Sequence, residues 1–261
     1  MTGATTSEAP LRGTVALVTG ASSGIGEATA VALAALGADV AVAARRRDRL
    51  ERLATRISEE AGGRALVIEA DIARPEQAEG AVSRTVRELG RLDTLVNNAG
   101  VMLLGPIEGA PLQEWHRMLD VNVAGLLHCA HAALPHLLAA ARDGARGVAD
   151  MVNVSSVAGR VARAGSGVYN LTKHGIGAFS ESLRQEVTER HVRVSLIEPG
   201  AVDTELPGHN RPEIREQIAR SFDEIERLRS QDIADAIAYI ITRPRHVAVN
   251  ELLIRPTEQR R

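Results

Sequence analysis

Short apolar runs alternate along this chain with longer stretches in which apolar side chains recur every three or four positions. The short runs cover residues 15–19, 39–43, 65–70, 94–97, 148–154, 192–197 and 251–254. Most are continuously apolar rather than alternating, the pattern of strands covered on both faces. Between them, residues 26–36, 48–60, 75–89, 112–138, 167–190 and 231–242 read as helices. Strand and helix in strict alternation predict βαβ units. The expected fold is α/β: a single-domain, Rossmann-type, doubly wound parallel seven-stranded sheet. A polar tail, residues 1–10, precedes one domain at 11–257. The segment 204–230, rich in Pro, Gly and charge at its start, breaks the alternation. It reads either as a lid over a site or as an exposed insertion.

Composition narrows the classes. Lys+Arg 31 against Asp+Glu 33 gives a net charge of −2, which argues against a dedicated nucleic-acid binder. Five aromatic residues leave little material for base stacking. The one cysteine, Cys129, excludes an internal disulfide framework. The eight His are scattered and no His or Cys pair has ligand spacing, so no metal is expected. Residues 1–10 lack the charged and apolar regions of a signal peptide, and no continuous apolar run approaches the roughly 18 residues of a membrane span. A cytoplasmic protein without a membrane partner is therefore expected.

One count stands out. Of the 31 cations only Lys173 is a lysine, and it lies four residues after Tyr169, one of just two tyrosines. Random placement would do this with odds of about one in a hundred. On a helix these two side chains share a face. Bringing a phenol from pKa near 10 to about 7 takes roughly 4 kcal/mol. A positive charge about 4 Å away, at an effective dielectric near 20, supplies energy on that order. The pair therefore reads as an acid–base tyrosine with its electrostatic partner.

The first strand runs into Thr19-Gly20-Ala21-Ser22-Ser23-Gly24-Ile25-Gly26 and then a helix. Three glycines at such a turn let backbone approach a pyrophosphate, whose charge sits on the helix N-terminus. Gly20, Ser22, Ser23, Gly24, Ile25 and Gly26 are thus candidate dinucleotide contacts. A carboxylate usually ends the second strand where the cofactor is NAD, but here Ala44-Arg45-Arg46-Arg47 stands instead. Arg45 and Arg46 suit a 2′-phosphate, so NADP(H) is the expected cofactor.

The Gly-rich turn, Asn97-Asn98-Ala99-Gly100 and Tyr169-Asn170-Leu171-Thr172-Lys173 together resemble the short-chain dehydrogenase/reductase family, over about residues 11–257. The resemblance implies strand order 3-2-1-4-5-6-7 and a homodimer or homotetramer formed through the two long helices. It implies adenine contacts from Asp71 and Ile72, and cofactor contacts from Asn98, Ala99, Gly100, Pro199, Gly200 and Val202. Thr204 would fix the carboxamide, and Tyr169 and Lys173 would also touch the cofactor. Ser156, thirteen residues before Tyr169, matches the family's catalytic serine, with Ser155 the neighbouring alternative. Asn122 matches the asparagine that orders a water leading from the lysine to solvent. An asparagine inside a helix is otherwise mildly unfavourable.

The function expected is reduction of an aldehyde or ketone to an alcohol with NADPH, reversible as an alcohol dehydrogenase, on a small-molecule substrate. Runs after the fourth strand and around 184–189, 198–206 and 254–257 are similar to the branch that holds clavulanate dehydrogenases, and hydroxy-acid dehydrogenases of the serine type share much of them. In the lid, His209 or Arg211 could meet a substrate carboxylate. A dinucleotide-binding regulator without turnover is the non-enzymatic alternative.

Overall fold

The computed structural model describes residues 9–221 and 225–260. Seven strands form one sheet: β1 (Val15–Thr19), β2 (Asp39–Ala44), β3 (Ala65–Glu69), β4 (Thr94–Asn97), β5 (Ala149–Val154), β6 (Val192–Pro199) and β7 (Glu251–Ile254). Their order is β3-β2-β1-β4-β5-β6-β7, and every pairing is parallel. β1 is flanked by both β2 and β4, with Ala16 opposite Val40 on one side and Thr94 on the other. The chain thus winds outward in both directions from β1, and the crevice at the carboxyl ends of β1 and β4 is where such sheets bind ligands.

Helices α1 (Gly24–Ala35), α2 (Arg47–Ala61) and α8 (Ser230–Ile241) cover one face, and α3 (Pro75–Leu89), α5 (Gly125–Asp143) and α6 (Gly167–Val187) cover the other. Alternate strand residues feed the two cores, as the period of two requires. Val18, Val40 and Val42 pack with Leu33, Leu50, Ile57 and Ile237, whereas Leu17 and Ala41 pack with Ala133, Leu137 and Leu183. Cys129 is buried among the latter, and burial pushes its thiol up to about 12, consistent with a packing role.

Element boundaries lie within one or two residues of the sequence expectation except in two helices: the one expected at 167–190 ends at Val187 and passes into a 3₁₀ turn at Thr188–Arg190, and the one expected at 112–138 differs more. That stretch reaches Asp143 and comprises α4 (Leu112–Met118), a π-helical segment at Leu119–Ala124, and α5. As a continuous helical run, Leu112–Asp143 has the length and hydropathy of a membrane span, which corrects the expectation that nothing here approaches one. In the fold it is a core helix, burying Leu126, Cys129, Ala130, Ala133 and Leu137. The 204–230 segment carries a 3₁₀ turn at Leu206–His209 and α7 (Pro212–Ser221). Its residues 222–224, and residues 1–8 of the expected tail, lie outside the described residues.

The end of the sheet opposite the crevice, at the amino ends of β5 and β6, is closed by charge. Arg193 Nε donates to Asp150 Oδ1 at 2.7 Å, and its other nitrogens donate to the carbonyls of Ile241 and Val247 at 2.9 and 2.8 Å. Arg146 donates to the second Asp150 oxygen at 3.1 Å. Arg193 and Asp150 are buried, so removing one partner strands a carboxylate and several carbonyls. Arg193→Ala should lower unfolding stability by about 3 kcal/mol, read as a shift in the urea midpoint. Arg146→Ala, at a more exposed position, should cost clearly less.

Candidate active site

At the carboxyl ends of β1 and β4 one threonine joins the two halves of the sheet. Thr19 Oγ1 accepts from the backbone N–H groups of Asn98 and Ala99 at 3.1 and 3.2 Å. Asn98 returns the bond, its side-chain amide donating to the carbonyls of Thr19 and Gly20 at 3.0 and 3.3 Å. The Gly-rich turn is thereby fixed to the loop after β4. Gly20 has φ +66°, and a Cβ there would lie 2.7 Å from Ala99 Cα. A side chain is excluded both by conformation and by space. Gly26 serves packing instead: its Cβ would lie 2.4 Å from Asn98 Nδ2 and 2.6 Å from the Gly20 carbonyl oxygen.

A cleft of about 980 Å³ opens above this junction, at the upper end of the usual range for ligand sites. Gly20, Ser22, Ser23, Gly24 and Ile25 line one wall, Arg45, Arg46, Asp71 and Ile72 the far end, and Asn98, Ala99 and Gly100 the floor. Pro199, Gly200, Val202 and Thr204 line it from the β6 side. Two residues in the expected set do not line it: Gly26, which seats α1, and Asn122, which stands behind the wall.

Asn122 lies within the π-helical segment, a form concentrated at functional sites. Its side chain accepts from the Val101 N–H at 2.8 Å and donates to the Val101 carbonyl at 2.9 Å and to Thr172 Oγ1 at 3.2 Å. It therefore ties the loop after β4 to α6. A Cβ on Gly100 would lie 3.3 Å from Asn122 Oδ1 and 3.9 Å from Lys173 Nζ, so these three groups converge.

Lys173 and Tyr169 occupy adjacent turns of α6, both buried, with Nζ 5.8 Å from the ring centre. The ammonium donates to the Val154 carbonyl at 2.9 Å, at the end of β5. Of the two serines, Ser155 is buried and donates to the Lys173 carbonyl at 3.1 Å. Ser156 accepts from the Ala158 N–H at 3.1 Å, its hydroxyl donates to the Pro199 carbonyl at 3.5 Å, and it is near enough to the Tyr169 phenol to pull that group's pKa down. Ser156, Tyr169 and Lys173 thus meet at the cleft wall.

The electrostatics correct one expectation. Burial pushes the Tyr169 phenol up to about 12, against a smaller downward pull from Ser156. Burial likewise pushes Lys173 down to about 8. Among the chain's own groups the phenol's pKa is thus moved further above neutral pH, not toward it. Low dielectric penalises phenolate and ammonium alike, and the lysine is committed to Val154 rather than to the phenol.

Sequence reasoning missed two groups. Glu205 accepts from Arg46 at 2.8 Å and from Arg49 at 2.6 Å, which hold its carboxyl down at about 2. Arg49 could have been found from its place three positions after Arg46. Glu205 carried no local signal. Of the two lid candidates, His209 lines the cleft, its pKa lowered by burial and then by Arg117, Arg45 and Arg46. Arg211 pairs with Glu114 and Glu213 at 3.2 and 3.3 Å and does not line the cleft.

The family model described as short chain dehydrogenase matches residues 14–215. The chain belongs to the short-chain dehydrogenase family. An uncharacterized oxidoreductase of Staphylococcus saprophyticus is 36% identical to this short-chain dehydrogenase over 249 residues, 94% of this chain and 96% of that protein. Glycine betaine reductase of Emericella nidulans is 38% identical over 253 residues, but these are 96% of this chain and only 19% of that much longer protein. Among solved structures, an alcohol dehydrogenase of Thermococcus sibiricus complexed with 5-hydroxy-NADP superposes with TM-score 0.84 at 30% identity, covering 95% and 98% of the two chains. The closed form of serine dehydrogenase with NADP⁺ gives 0.84 at 30% identity, covering 94% and 96%. A 3-ketoacyl-(acyl-carrier-protein) reductase of Brucella melitensis complexed with NADH gives 0.81 at 29% identity, covering 94% and 98%. The chain is accordingly an oxidoreductase, and such structures carry either NADP or NADH.

A spectroscopic outcome follows from the buried phenol. In a Tyr239→Phe protein Tyr169 is the only tyrosine. Its raised pKa keeps the proton on in the folded state, so phenolate absorbance should stay below a tenth of its full value at pH 10.5, where an ordinary tyrosine is more than half ionised. An inflection near pH 10 in the folded protein would contradict the burial argument.

Proposed function

We propose that this enzyme reduces an aldehyde or ketone to an alcohol with NADPH, and runs in reverse as an NADP-dependent alcohol dehydrogenase. The observation that carries the reading is the meeting of Ser156, Tyr169 and Lys173 at the wall of a cleft whose far end already seats an anion between two arginines. That anion is the Glu205 carboxylate on Arg46 and Arg49, a stand-in for a phosphate where NAD sites ordinarily present a carboxylate to the ribose. Ser22 and Ser23 complete the seat, both accepting from Arg46 at 2.7 to 3.1 Å. The dinucleotide fits: Gly20 and Gly24 leave backbone bare at the pyrophosphate turn, and Thr204 closes on that turn.

When bound, the reduced dinucleotide supplies the hydride. Ser156 holds the carbonyl oxygen by donating its hydroxyl, which polarises the carbon. Tyr169 gives its proton to that oxygen as negative charge develops there. Its pKa of about 12 keeps the phenol protonated at neutral pH, the form a reductase needs at the start of turnover. Lys173, held at Val154, presents its remaining N–H groups toward the cleft and favours the phenolate left behind. Asn122 keeps the loop after β4 in register with α6.

The substrate side of the cleft is apolar, with Val101, Met102, Leu104, Ile107, Val161, Leu206, Ile214 and Ile218. It suits a carbonyl on an apolar body. Clavulanate aldehyde, which also carries a carboxylate, is the candidate supported by resemblance in the runs after β4 and around β6. A hydroxy acid of the serine type is the alternative, for which Arg163 and His209, both lining the cleft, are available to a carboxylate. A second copy of the chain is proposed to pack on the long helices α5 and α6, which expose Leu127 and Leu171.

A screen of aldehydes and ketones with NADPH and NADH in parallel tests the reading, and no consumption of either cofactor with any carbonyl would leave a dinucleotide-binding regulator in its place. Tyr169→Phe should reduce turnover about 10²- to 10⁴-fold with cofactor affinity within twofold of wild type. Lys173→Arg should also lose most turnover, because a planar guanidinium cannot take the place of the compact ammonium at Val154. Wild-type rates in either variant would overturn the assigned roles.

A further inference from the structure

Glu205 stands 159 positions from Arg46 in sequence, yet its carboxylate spans two guanidiniums at 2.8 and 2.6 Å. The residue follows Thr204 at the cleft wall and opens the lid, whose 3₁₀ turn Leu206–His209 begins at the next position. A few residues on, Asn210 clasps the lid to the loop after β4. Its side chain accepts from the Leu104 N–H at 2.7 Å and donates to the Met102 carbonyl at 2.9 Å. The near end of the lid is therefore held by charge and its middle by a buried amide.

We propose that Glu205 is a built-in competitor for the 2′-phosphate of the cofactor: it occupies the arginine seat in the free protein and yields it only to a dinucleotide that brings its own anion. The proposal rests on the NADPH reading above. The groups around the carboxylate are those a phosphate monoester requires, two fixed guanidiniums flanked by the Ser22 and Ser23 hydroxyls. Both serines are acceptors from Arg46, so their own O–H groups are left to donate. A phosphate and the carboxylate cannot share the same donors without like charges in contact, so one leaves. NADPH exchanges one set of ion pairs for another and releases the near end of the lid. NADH has no anion for the seat, and Glu205 keeps it. The free protein thus avoids two adjacent unpaired guanidiniums, at the cost of weaker binding of the phosphorylated cofactor.

The test compares wild type, Glu205→Gln, Glu205→Ala and Arg46→Ala by calorimetric titration with NADPH, NADH, 2′-phosphoadenosine and 5′-phosphoadenosine, at one fixed ionic strength. The side chain of Glu205 is half exposed, so both Glu205 variants should fold, which matched thermal unfolding checks. Removing the competitor should tighten NADPH and 2′-phosphoadenosine about three- to tenfold and leave NADH and 5′-phosphoadenosine within twofold. Unchanged affinity for the 2′-phosphorylated ligands in both Glu205 variants would overturn the proposal while leaving the cofactor reading intact, provided that Arg46→Ala still loses them. Weakened NADH binding would also overturn it, since the carboxylate would then serve a ribose hydroxyl. If wild type and Arg46→Ala both bind NADPH and NADH alike, the NADPH reading itself fails.

Discussion

Lys173 is a cation in a place where cations are expensive, and the surrounding elements are arranged by that fact. Its ammonium is buried and, among the described residues, donates to one acceptor, the Val154 carbonyl at the carboxyl end of β5. That carbonyl is available because β5 ends there and the chain turns away into Ser155 and Ser156. Ser155 then caps the arrangement by donating back to the Lys173 carbonyl. A buried ammonium with a single acceptor is driven toward deprotonation, as the fall to about 8 records. It keeps its proton at neutral pH with donors in hand, a state that stores demand for acceptors at the mouth of the cleft. Arginine, which serves every other cationic position in the chain, is too large and too rigidly planar for this one.

Such a group needs rigid walls, and a chain of polar side chains through the middle of the sheet provides them. Asn97 donates to Asn153 at 2.9 Å, Asn153 donates to Ser180 at 2.9 Å, and Ser180 donates to the Ile176 carbonyl at 2.7 Å. β4, β5 and α6 are thereby locked in register beneath Ser156, Tyr169 and Lys173. Thr19 and Asn98 do the same between β1 and β4, and Asn122 between the next loop and α6. Every one of these residues is a small amide or hydroxyl in a core built mainly of Ala, Val, Leu and Ile. Buried polar networks of this kind hold geometry tightly when satisfied and are costly when broken, so they belong under a site whose groups must stay fixed to fractions of an ångström.

What sequence could show and what it could not follows from the range of each interaction. The Gly-rich turn and the i,i+4 pairing of Tyr169 with Lys173 are local and were legible from the residues, whereas Ser156, thirteen residues earlier, was legible only through the family resemblance. The seven strands were legible from the residues too, since strands covered on both faces read as continuous apolar runs. The π-helical register at Leu119–Ala124 was not, because its cause is the fit of Asn122 to Val101, a contact outside the helix. The direction of the Tyr169 shift was misjudged because the charge of its neighbour is visible in sequence whereas burial is a property of the fold. Glu205 was invisible altogether: one acidic residue in a polar segment acquires meaning only when folding sets it against Arg46 and Arg49.

The two ends of the cleft are then linked through a short piece of chain. Val202, Thr204, Glu205 and His209 all line it, and between Thr204 and Glu205 the chain passes from the wall opposite the Gly-rich turn to the arginine seat. Thr204 Oγ1 accepts from the Leu206 N–H at 3.3 Å, which folds the backbone so that Glu205 points toward Arg46. Whatever moves Glu205 therefore pulls on Thr204 and on the first turn of the lid, while Asn210 holds the turn's far end to Met102 and Leu104. The arginine seat at one end of the cleft and the apolar lining at the other are in this way joined by one short piece of chain, within the segment that broke the alternation of strand and helix.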